Sequence, residues 1–265
     1  MAVVANDIVV YASAVMPTGD TALPGGAIDT TVKMTFTDMA ATDGLVMSSN
    51  GLNDEVKVDV TGRNAGGSIV TDQFVVFQSL ARVTGISETA FERILRMAIS
   101  SGSHTGTITI EQDNYPTWTP VATMESGVSG IYRPFYNVNS AVDHAKEYFE
   151  KVFVKNNNAV NALLSCTISE SGEFDLGGSE VVSFDLASSG DDSGQSSNNR
   201  LGPPPSTQIL SAQTGTGFTN TAKAVISGDL SAGNNQGVWI KLDLAAGAAS
   251  QNGFWGVTVS GSTTS

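Results

Sequence analysis

The stretch VKVDVTGRNAGGSIVTDQFVVF, residues 56–77, decides the fold class of this chain. In its first half three valines alternate with polar residues, which is the period-two pattern of a strand with one buried face. Gly66 and Gly67 follow and allow a tight turn into a second run of β-branched and aromatic residues. The stretch therefore predicts an antiparallel β-hairpin.

Composition extends this interpretation to the whole chain of 265 residues. Charged residues make up only 15% of it, and glycine, serine, threonine and alanine are abundant, which suits short strands joined by small-residue turns. Further strand-like runs recur at hairpin spacing, among them EYFEKVFVKN at 147–156 and QGVWIKLDL at 236–244. We therefore expect an all-β fold with two antiparallel β-sandwich-like modules, at residues 31–125 and 126–265.

Residues 1–30 and 188–207 interrupt this regular pattern. In the first segment Pro17 and Pro24 prevent a continuous regular element. The second segment is a long polar loop that ends in three prolines. We expect an extended N-terminal arm that either folds back on its own domain or lies on a neighbouring subunit. Both segments are expected to pack poorly on their own domain, so that deleting either leaves the melting temperature nearly unchanged. Contacts between subunits are accordingly predicted at Val3, Ile8, Val10, Tyr11, Pro203, Pro204 and Pro205.

One segment favours a helix, TAFERILRMAIS at residues 89–100. Thr89 precedes Glu92 at the spacing of a capping box. Four apolar residues follow at i, i+3, i+4 and i+7, the spacing of one helical face: Phe91, Ile94, Leu95 and Ala98. The pattern predicts a short amphipathic helix that packs on a sheet of the first module.

Residues that carry catalytic chemistry are sparse. The two histidines, His104 and His144, lie in different predicted modules, which leaves little material for a metal site or a Ser/His/Asp triad. Cys166 lies in an apolar run and is expected to be buried and inert. Asp191 and Asp192 suggest a calcium ligand, but their spacing matches no calcium-loop signature and favours a solvated turn. We therefore expect no enzyme activity, no cofactor and no metal site.

Two aromatic residues in a proline-containing loop, Tyr115 and Trp118, form a candidate binding site. Exposed rings of this kind stack on sugars in carbohydrate-binding sandwiches. Trp239 and Trp255, in contrast, lie inside apolar strands and are expected in the core. A glycan-binding surface at Tyr115 and Trp118 is therefore one interpretation of the sequence.

The chain is acidic, with 13 basic and 26 acidic residues and a formal net charge of −13. Such a charge disfavours direct binding to a phosphate backbone. No apolar run reaches the ~20 residues that a membrane helix needs, and the N-terminus lacks the pattern of a signal peptide. We expect neither nucleic acid nor a membrane as a partner, and folding in a cytoplasm.

Two parts of the sequence resemble structural proteins of tailed-bacteriophage virions. Residues 56–110 resemble a module of such proteins in which a V-x-V-T-G-x-x-A-G-G strand and turn precede a short helix and a G-T-I-T-I closing strand. Residues 148–169 and 229–261 are similar to the sandwich of other phage structural proteins, through KVFVKN and, at a distance, GVWIKLDLAAGA. The arm and the 188–207 loop have no counterpart, and the resemblance brings no catalytic residues.

The resemblance implies a virion structural protein that is assembled in the host cytoplasm. Within that class we expect a capsid decoration or cement protein that binds the major capsid protein or other virion subunits, since a symmetric lattice multiplies many weak contacts. A homo-oligomer is expected, with a trimer favoured. A tail-tube or head-to-tail connector subunit is the near alternative, because an acidic lumen lets DNA slide without binding. A glycan-binding adhesin that uses Tyr115 and Trp118 is the other.

Overall fold

The computed structural model describes residues 2–34, 37, 39–77, 79–136, 138, 144–173, 180–188, 193–210, 217–247 and 255–263. Within them the backbone forms sixteen strands and two 3₁₀ turns, and no helix reaches seven residues. The all-β fold class predicted from the sequence is therefore confirmed. In the described part of the chain we find no helix whose length and hydrophobicity would let it span a lipid bilayer.

The strands in chain order are β1 (Ile8–Val15), β2 (Gly25–Lys33), β3 (Leu45–Ser49), β4 (Glu55–Arg63), β5 (Ile69–Phe77), β6 (Ser79–Thr84), β7 (Arg93–Ser103), β8 (Ile108–Gln112), β9 (Thr119–Met124), β10 (Gly130–Tyr132), β11 (Lys146–Asn156), β12 (Leu163–Glu173), β13 (Glu180–Leu186), β14 (Lys223–Ala224), β15 (Asn235–Leu244) and β16 (Trp255–Thr263). The 3₁₀ turns are Ala5–Asp7 and Ser206–Gln208. The chain divides into two compact units: unit 1 comprises Met1–Asp29 with Asn137–Ser265, and unit 2 comprises Thr30–Tyr136.

Unit 1 contains two sheets. In one, β13, β15, β11 and β1 lie side by side in that order, with β2 next to β1; in the other, β12 lies between β14 and β16. The ladder between β11 and β15 runs from Lys146 opposite Leu244 to Lys155 opposite Asn235 without a register shift. Because β11 lies inside its sheet, most of its residues are buried, including the charged Glu150 and Lys151.

Strand β1 corrects the interpretation of residues 1–30 as a separate arm. It lies between β11 and β2, with Ile8 opposite Asn156. Tyr11 and Ala12 are buried. Of the two alternatives for this segment, the structure shows the first, in which it folds back on its own chain. The poor self-packing expected for it is wrong, because an inner strand of a sheet is paired on both sides.

The described part of the long loop, residues 193–210, is also anchored in unit 1. Arg200 is fully buried, and its guanidinium donates to the buried carboxylate of Glu150 in β11. The backbone N–H of Arg200 donates to the carbonyl of Ala22 at 2.9 Å, and its carbonyl accepts from the N–H of Phe149 at 2.8 Å. The poor self-packing predicted for this loop is therefore wrong as well, since a buried ion pair and main-chain hydrogen bonds fix it.

Unit 2 includes the hairpin predicted from residues 56–77. β4 and β5 pair along their whole lengths without a register shift. The side chain of Asn64 closes the turn by accepting hydrogen bonds from the backbone of Gly66 and Ser68, both at 3.0 Å. Gly67 has a φ of +75°, which glycine adopts without steric cost. The predicted hairpin is thus confirmed.

The core of unit 2 is formed by side chains from two sheets. One contains β10, β7, β4 and β5, and the other contains β6, β3, β8 and β9. Buried apolar residues from both belong to one cluster, which makes the unit sandwich-like: Val56, Val58, Val60, Phe74, Val76, Ile94 and Met97 from the first sheet, and Leu45, Met47, Ile108, Ile110, Val121 and Met124 from the second.

The helix predicted at residues 89–100 is wrong, because strand β7 occupies most of that segment. A register shift against β4 separates Ile94, which lies opposite Gly62, from Arg96 and leaves Leu95 without an opposing residue. Such a β-bulge adds one residue to one strand and locally breaks the alternation of its side chains. Ile94 and Leu95 are consequently both buried, and the strand imitates the apolar spacing of a helix.

The two residues of the predicted capping box have other partners. The backbone N–H of Thr89 donates to the carboxylate of Asp72 at 2.9 Å. The backbone N–H of Glu92 donates to the carbonyl of Arg63 at the end of β4, at 2.8 Å. Both contacts join distant parts of the chain, so local spacing alone could not reveal them.

A buried carboxylate joins two loops of unit 2. Asp54 accepts hydrogen bonds from the Ser49 hydroxyl, from the N–H and hydroxyl of Thr105 at 2.7 and 3.1 Å, and from the N–H of Gly106 at 3.2 Å. Burial by itself raises the pKa of Asp54, but these hydrogen bonds outweigh it and hold the pKa below its ordinary value of 3.8. The ionised carboxylate therefore stabilises the folded state.

Replacing Asp54 with asparagine is expected to lower the free energy of unfolding by about 2 kcal/mol at neutral pH, because a neutral amide replaces a charged acceptor of several hydrogen bonds. Since the folded-state pKa is lowered, this stabilisation is present above the unfolded-state value and is lost as pH falls through the folded-state pKa. Urea unfolding of both proteins should therefore show the difference shrinking below about pH 4. Glu55→Gln, at the exposed neighbouring position, is the control, and an equal effect there would contradict the assignment.

Candidate functional site

The loop that joins β8 to β9 presents two aromatic rings. The ring centroids of Tyr115 and Trp118 are 5.6 Å apart and the ring planes are inclined by 72°, an edge-to-face arrangement. Tyr115 is 79% exposed, and Trp118 is partly exposed. The structure thus brings together the two residues that the sequence singled out as a glycan-binding candidate.

Asn114 fixes the shape of this loop. Its Nδ2 donates to the hydroxyl of Thr119 at 2.6 Å, and its Oδ1 accepts from the Thr119 N–H at 3.0 Å. Its backbone carbonyl accepts from the N–H of Thr117 at 3.1 Å. Trp118 has a φ of +48°, which residues with a side chain rarely adopt and which the surrounding contacts must hold. The two rings are therefore presented by a defined loop conformation.

Arg82 of β6 covers one face of the Trp118 ring. Its guanidinium carbon lies 4.9 Å from the ring centroid, at cation–π distance. Nε and Nη2 of Arg82 donate to the two carboxylate oxygens of Glu111 at 2.7 and 3.2 Å, a bidentate pair. These hydrogen bonds raise the pKa of Arg82 above its ordinary value, so the group stays charged. We refer to Arg82, Tyr115 and Trp118 together as the aromatic surface.

The aromatic surface suits a ring-shaped polar ligand. Arg82 lies over the Trp118 ring and leaves the Tyr115 ring exposed. The Tyr115 ring can therefore stack on the C–H face of a sugar. The partly exposed guanidinium of Arg82 supplies hydrogen-bond donors beside the rings, and the buried Glu111 holds it in place.

Sequence analysis missed Arg82 and Glu111. They are 29 residues apart and lie on β6 and β8, which flank β3 in the same sheet. One signal was present, since Glu111 directly follows the apolar run of β8, and a carboxylate buried in a strand requires a charged partner. Which of the basic residues supplies that partner depends on the strand order, and local spacing does not give it.

The residues predicted to contact other subunits divide into two groups. Tyr11 and Pro204 are buried in unit 1, and the Tyr11 hydroxyl accepts from the side chain of Asn157 at 2.9 Å. They are not available to a second subunit, which corrects the prediction at these two positions. Contacts at the remaining positions stay predictions, since their side chains are exposed or partly exposed: Val3, Ile8, Val10, Pro203 and Pro205.

The two histidines belong to different units, His104 to unit 2 and His144 to unit 1. Both ring nitrogens of His104 lie 2.8 Å from backbone carbonyl oxygens, those of Gly106 and Val128, and His144 is exposed. In the described part of the chain, no group of three or more His, Cys, Asp or Glu side chains is placed to hold a metal ion. Asp191 and Asp192, which suggested a calcium ligand, lie outside the described residues.

Cys166 and Trp239 lie in the core, as their apolar settings predict. Cys166 is a buried free thiol, and burial, with a smaller contribution from Asp229, raises its pKa to about 11. The thiol is therefore protonated at neutral pH and is a poor nucleophile. Trp239 is fully buried in β15, whereas the side chain of Trp255 lies outside what the structure describes.

Comparison with known proteins does not assign the chain to a family. No protein-family model matches the sequence, and no curated protein matches it. A chain from the structure of infectious bursal disease virus, Gx strain, is similar at 9% sequence identity and a TM-score of 0.15, covering 97% of this chain and 70% of that one. A likeness with a TM-score this low carries no argument about fold or function.

Proposed function

We propose that this chain is a structural protein of a tailed-bacteriophage virion that decorates and stabilises the outer capsid shell. One observation supports the proposal best. The segments that resemble phage virion proteins, residues 56–110, 148–169 and 229–261, contain β5, β6, β7 and β15 and large parts of β4, β8, β11, β12 and β16. The resemblance therefore covers strands of both units, although strand β7 lies where the resembled module has its short helix.

The physical properties of the chain suit the outside of a shell. A net charge of −13 repels DNA, so the outer face of the shell is electrostatically more favourable for this chain than a position next to the packaged genome. Long ladders without register shifts, β4–β5 and β11–β15, form rigid sheets that can present a constant surface. On a symmetric lattice each copy needs only a modest interface with the major capsid protein, because many attachments act together.

Copy number in purified particles tests this proposal. Quantitative mass spectrometry of virions should find the chain in a fixed ratio to the major capsid protein, with enough copies to occupy repeated lattice positions. Particles that lack it should assemble but lose their DNA at a lower temperature. Absence from the particles, or a number that fits only one ring at a vertex or along a tail, would overturn the proposal.

The aromatic surface supports a second candidate, a glycan-binding virion adhesin. The observation that favours it is the contact between Tyr115 and Trp118, with the Tyr115 ring left 79% exposed and Arg82 beside it. An exposed ring with a fixed charge pair next to it can combine stacking with hydrogen bonds to hydroxyl groups.

Replacing Tyr115 with alanine is expected to weaken binding to a host-surface sugar by about tenfold or more, through loss of the stacking face. The free energy of unfolding should change by less than about 0.5 kcal/mol, because the side chain is exposed. Titration against purified host polysaccharide measures the binding. Phe77→Ala, another exposed ring, is the control and should bind like wild type. A wild-type protein that binds no host sugar, or a Y115A variant with unchanged affinity, would reject the adhesin.

A further inference from the structure

Strand β16 is an outer strand of the three-stranded sheet in unit 1. It pairs with β12 on one side, from Leu163 opposite Thr263 to Glu173 opposite Trp255, with two register shifts. Among the described residues, no chain segment pairs with its other side. The side chains of Thr258 and Ser260 are exposed. A row of backbone N–H and C=O groups is thus available for pairing.

Two other outer strands are covered by their own chain. The free side of β13 pairs at Phe184 with Thr219, in both directions at 3.2 Å. On β5 the carbonyl of Gln73 accepts from the N–H of Ile86 at 2.9 Å, and the segment after it is held by the Asp72 carboxylate. These contacts protect the edges against pairing with a second chain.

The remaining outer strands have different protection. On β9 the carbonyl of Val121 accepts from the N–H of Thr37 at 3.0 Å. β6 carries the charged Arg82, and β14 has only two residues, one of them Lys223. Short length and charged side chains both discourage strand addition. Among the described outer strands, β16 is the long strand whose free edge has no contact with another segment and whose residues carry no charged side chain.

Charge also distinguishes β16 from the rest of the chain. Residues 244–265 contain no Asp, Glu, Lys, Arg or His, whereas the chain as a whole carries a net charge of −13. Two copies of such an acidic chain repel each other over most of their surface. Like charges that lie directly opposite each other on paired strands are destabilising. At the neutral edge of β16, two copies can pair without such an arrangement.

We propose that β16 pairs antiparallel with β16 of a second copy of this chain, about a two-fold axis. The same nine residues then supply both sides of the contact, and main-chain hydrogen bonds join the two sheets. This contact makes pairs of copies, which differs from the trimer favoured by the sequence. It does not depend on a location in a virion, because it is a property of the purified chain.

The test is sedimentation of the purified chain over a range of concentrations, with a lysine placed on the edge. Wild type should reach the mass of a dimer of 27.4-kDa chains. Raising the salt concentration should tighten the dimer, because salt screens the repulsion between acidic copies. Thr258→Lys should weaken the dimer by about tenfold or more, since lysine on an edge opposes pairing. Thr71→Lys, the same change at an exposed position on the covered strand β5, should leave it unchanged.

Circular dichroism establishes that each variant is folded, and Ser260→Lys replaces Thr258→Lys if the latter is not. A wild-type chain that stays monomeric at the highest concentration would overturn the proposal. So would a dimer that survives both β16 lysines, or one that Thr71→Lys disrupts equally.

Discussion

Replacing Arg200 with methionine is expected to lower the free energy of unfolding by about 3–5 kcal/mol. Both Arg200 and Glu150 are fully buried, and the guanidinium also lies over the ring of Tyr148, 5.3 Å from its centroid. Methionine keeps part of the side-chain volume but leaves the charge of Glu150 buried without its guanidinium partner. The loop at residues 193–210 loses the side chain that ties it to β11. Equilibrium unfolding in urea measures the loss.

Two further variants separate the charge effect from packing. Glu150→Leu combined with Arg200→Met should recover most of the loss, because an apolar pair of similar volume removes the uncompensated charge. Lys241→Met is the control: it removes ion pairs with Glu147 and Asp243, at 3.2 and 2.8 Å, whose carboxylates are 53% and 33% exposed, and should cost less than about 1 kcal/mol. A single Arg200→Met variant as stable as wild type would show that this ion pair does not anchor the loop.

Replacing Gly62 with alanine is expected to destabilise unit 2 by about 3 kcal/mol. A Cβ at this position would lie 2.5 Å from the carbonyl oxygen of Arg93 and 2.5 Å from Cδ1 of Phe91, closer than atoms can approach. The contact exists because Ile94 lies opposite Gly62 in the β4–β7 ladder. The variant therefore tests whether this segment is a strand, as the structure has it, or the helix that its spacing predicts.

Gly66→Ala is the matched control, because it lies in the same hairpin and its Cβ would meet only the Asn64 side chain, at an ordinary 3.4 Å. It should change the free energy of unfolding by less than about 1 kcal/mol. Thermal and urea unfolding of both variants give the comparison. Equal stability of the two alanine variants would mean that β4 and β7 are not paired as described.

Local pattern predicted the parts of the fold whose contacts are local. The hairpin at residues 56–77 needs only alternating valines and a glycine turn, and β4 and β5 are found there. The strand predicted at 147–156 is β11, but its pattern did not reveal that Glu150 is buried. The burial of Glu150 depends on its ion pair with Arg200, which is fifty residues away in the sequence. Arg200 belongs to a loop whose polar sequence gives no sign of a buried residue.

The helix prediction failed for a different reason. Apolar residues at i, i+3 and i+4 distinguish a helix from a strand only when the side chains of the strand alternate strictly between its two faces. The bulge at Leu95 breaks that alternation, so this strand shows the same apolar spacing as a helix. The candidate site shows the same limit. Tyr115 and Trp118 were found because one loop holds both, whereas Arg82 and Glu111 join them through the order of strands in a sheet.

The most direct test of the central claim is a cryo-electron microscopy reconstruction of virions that contain this chain, with the chain labelled. We predict density for the two β-rich units at repeated lattice positions on the outer face of the capsid, in contact with the major capsid protein. Density confined to stacked rings of a tail or to a single vertex, or no label on the particles at all, would contradict the account.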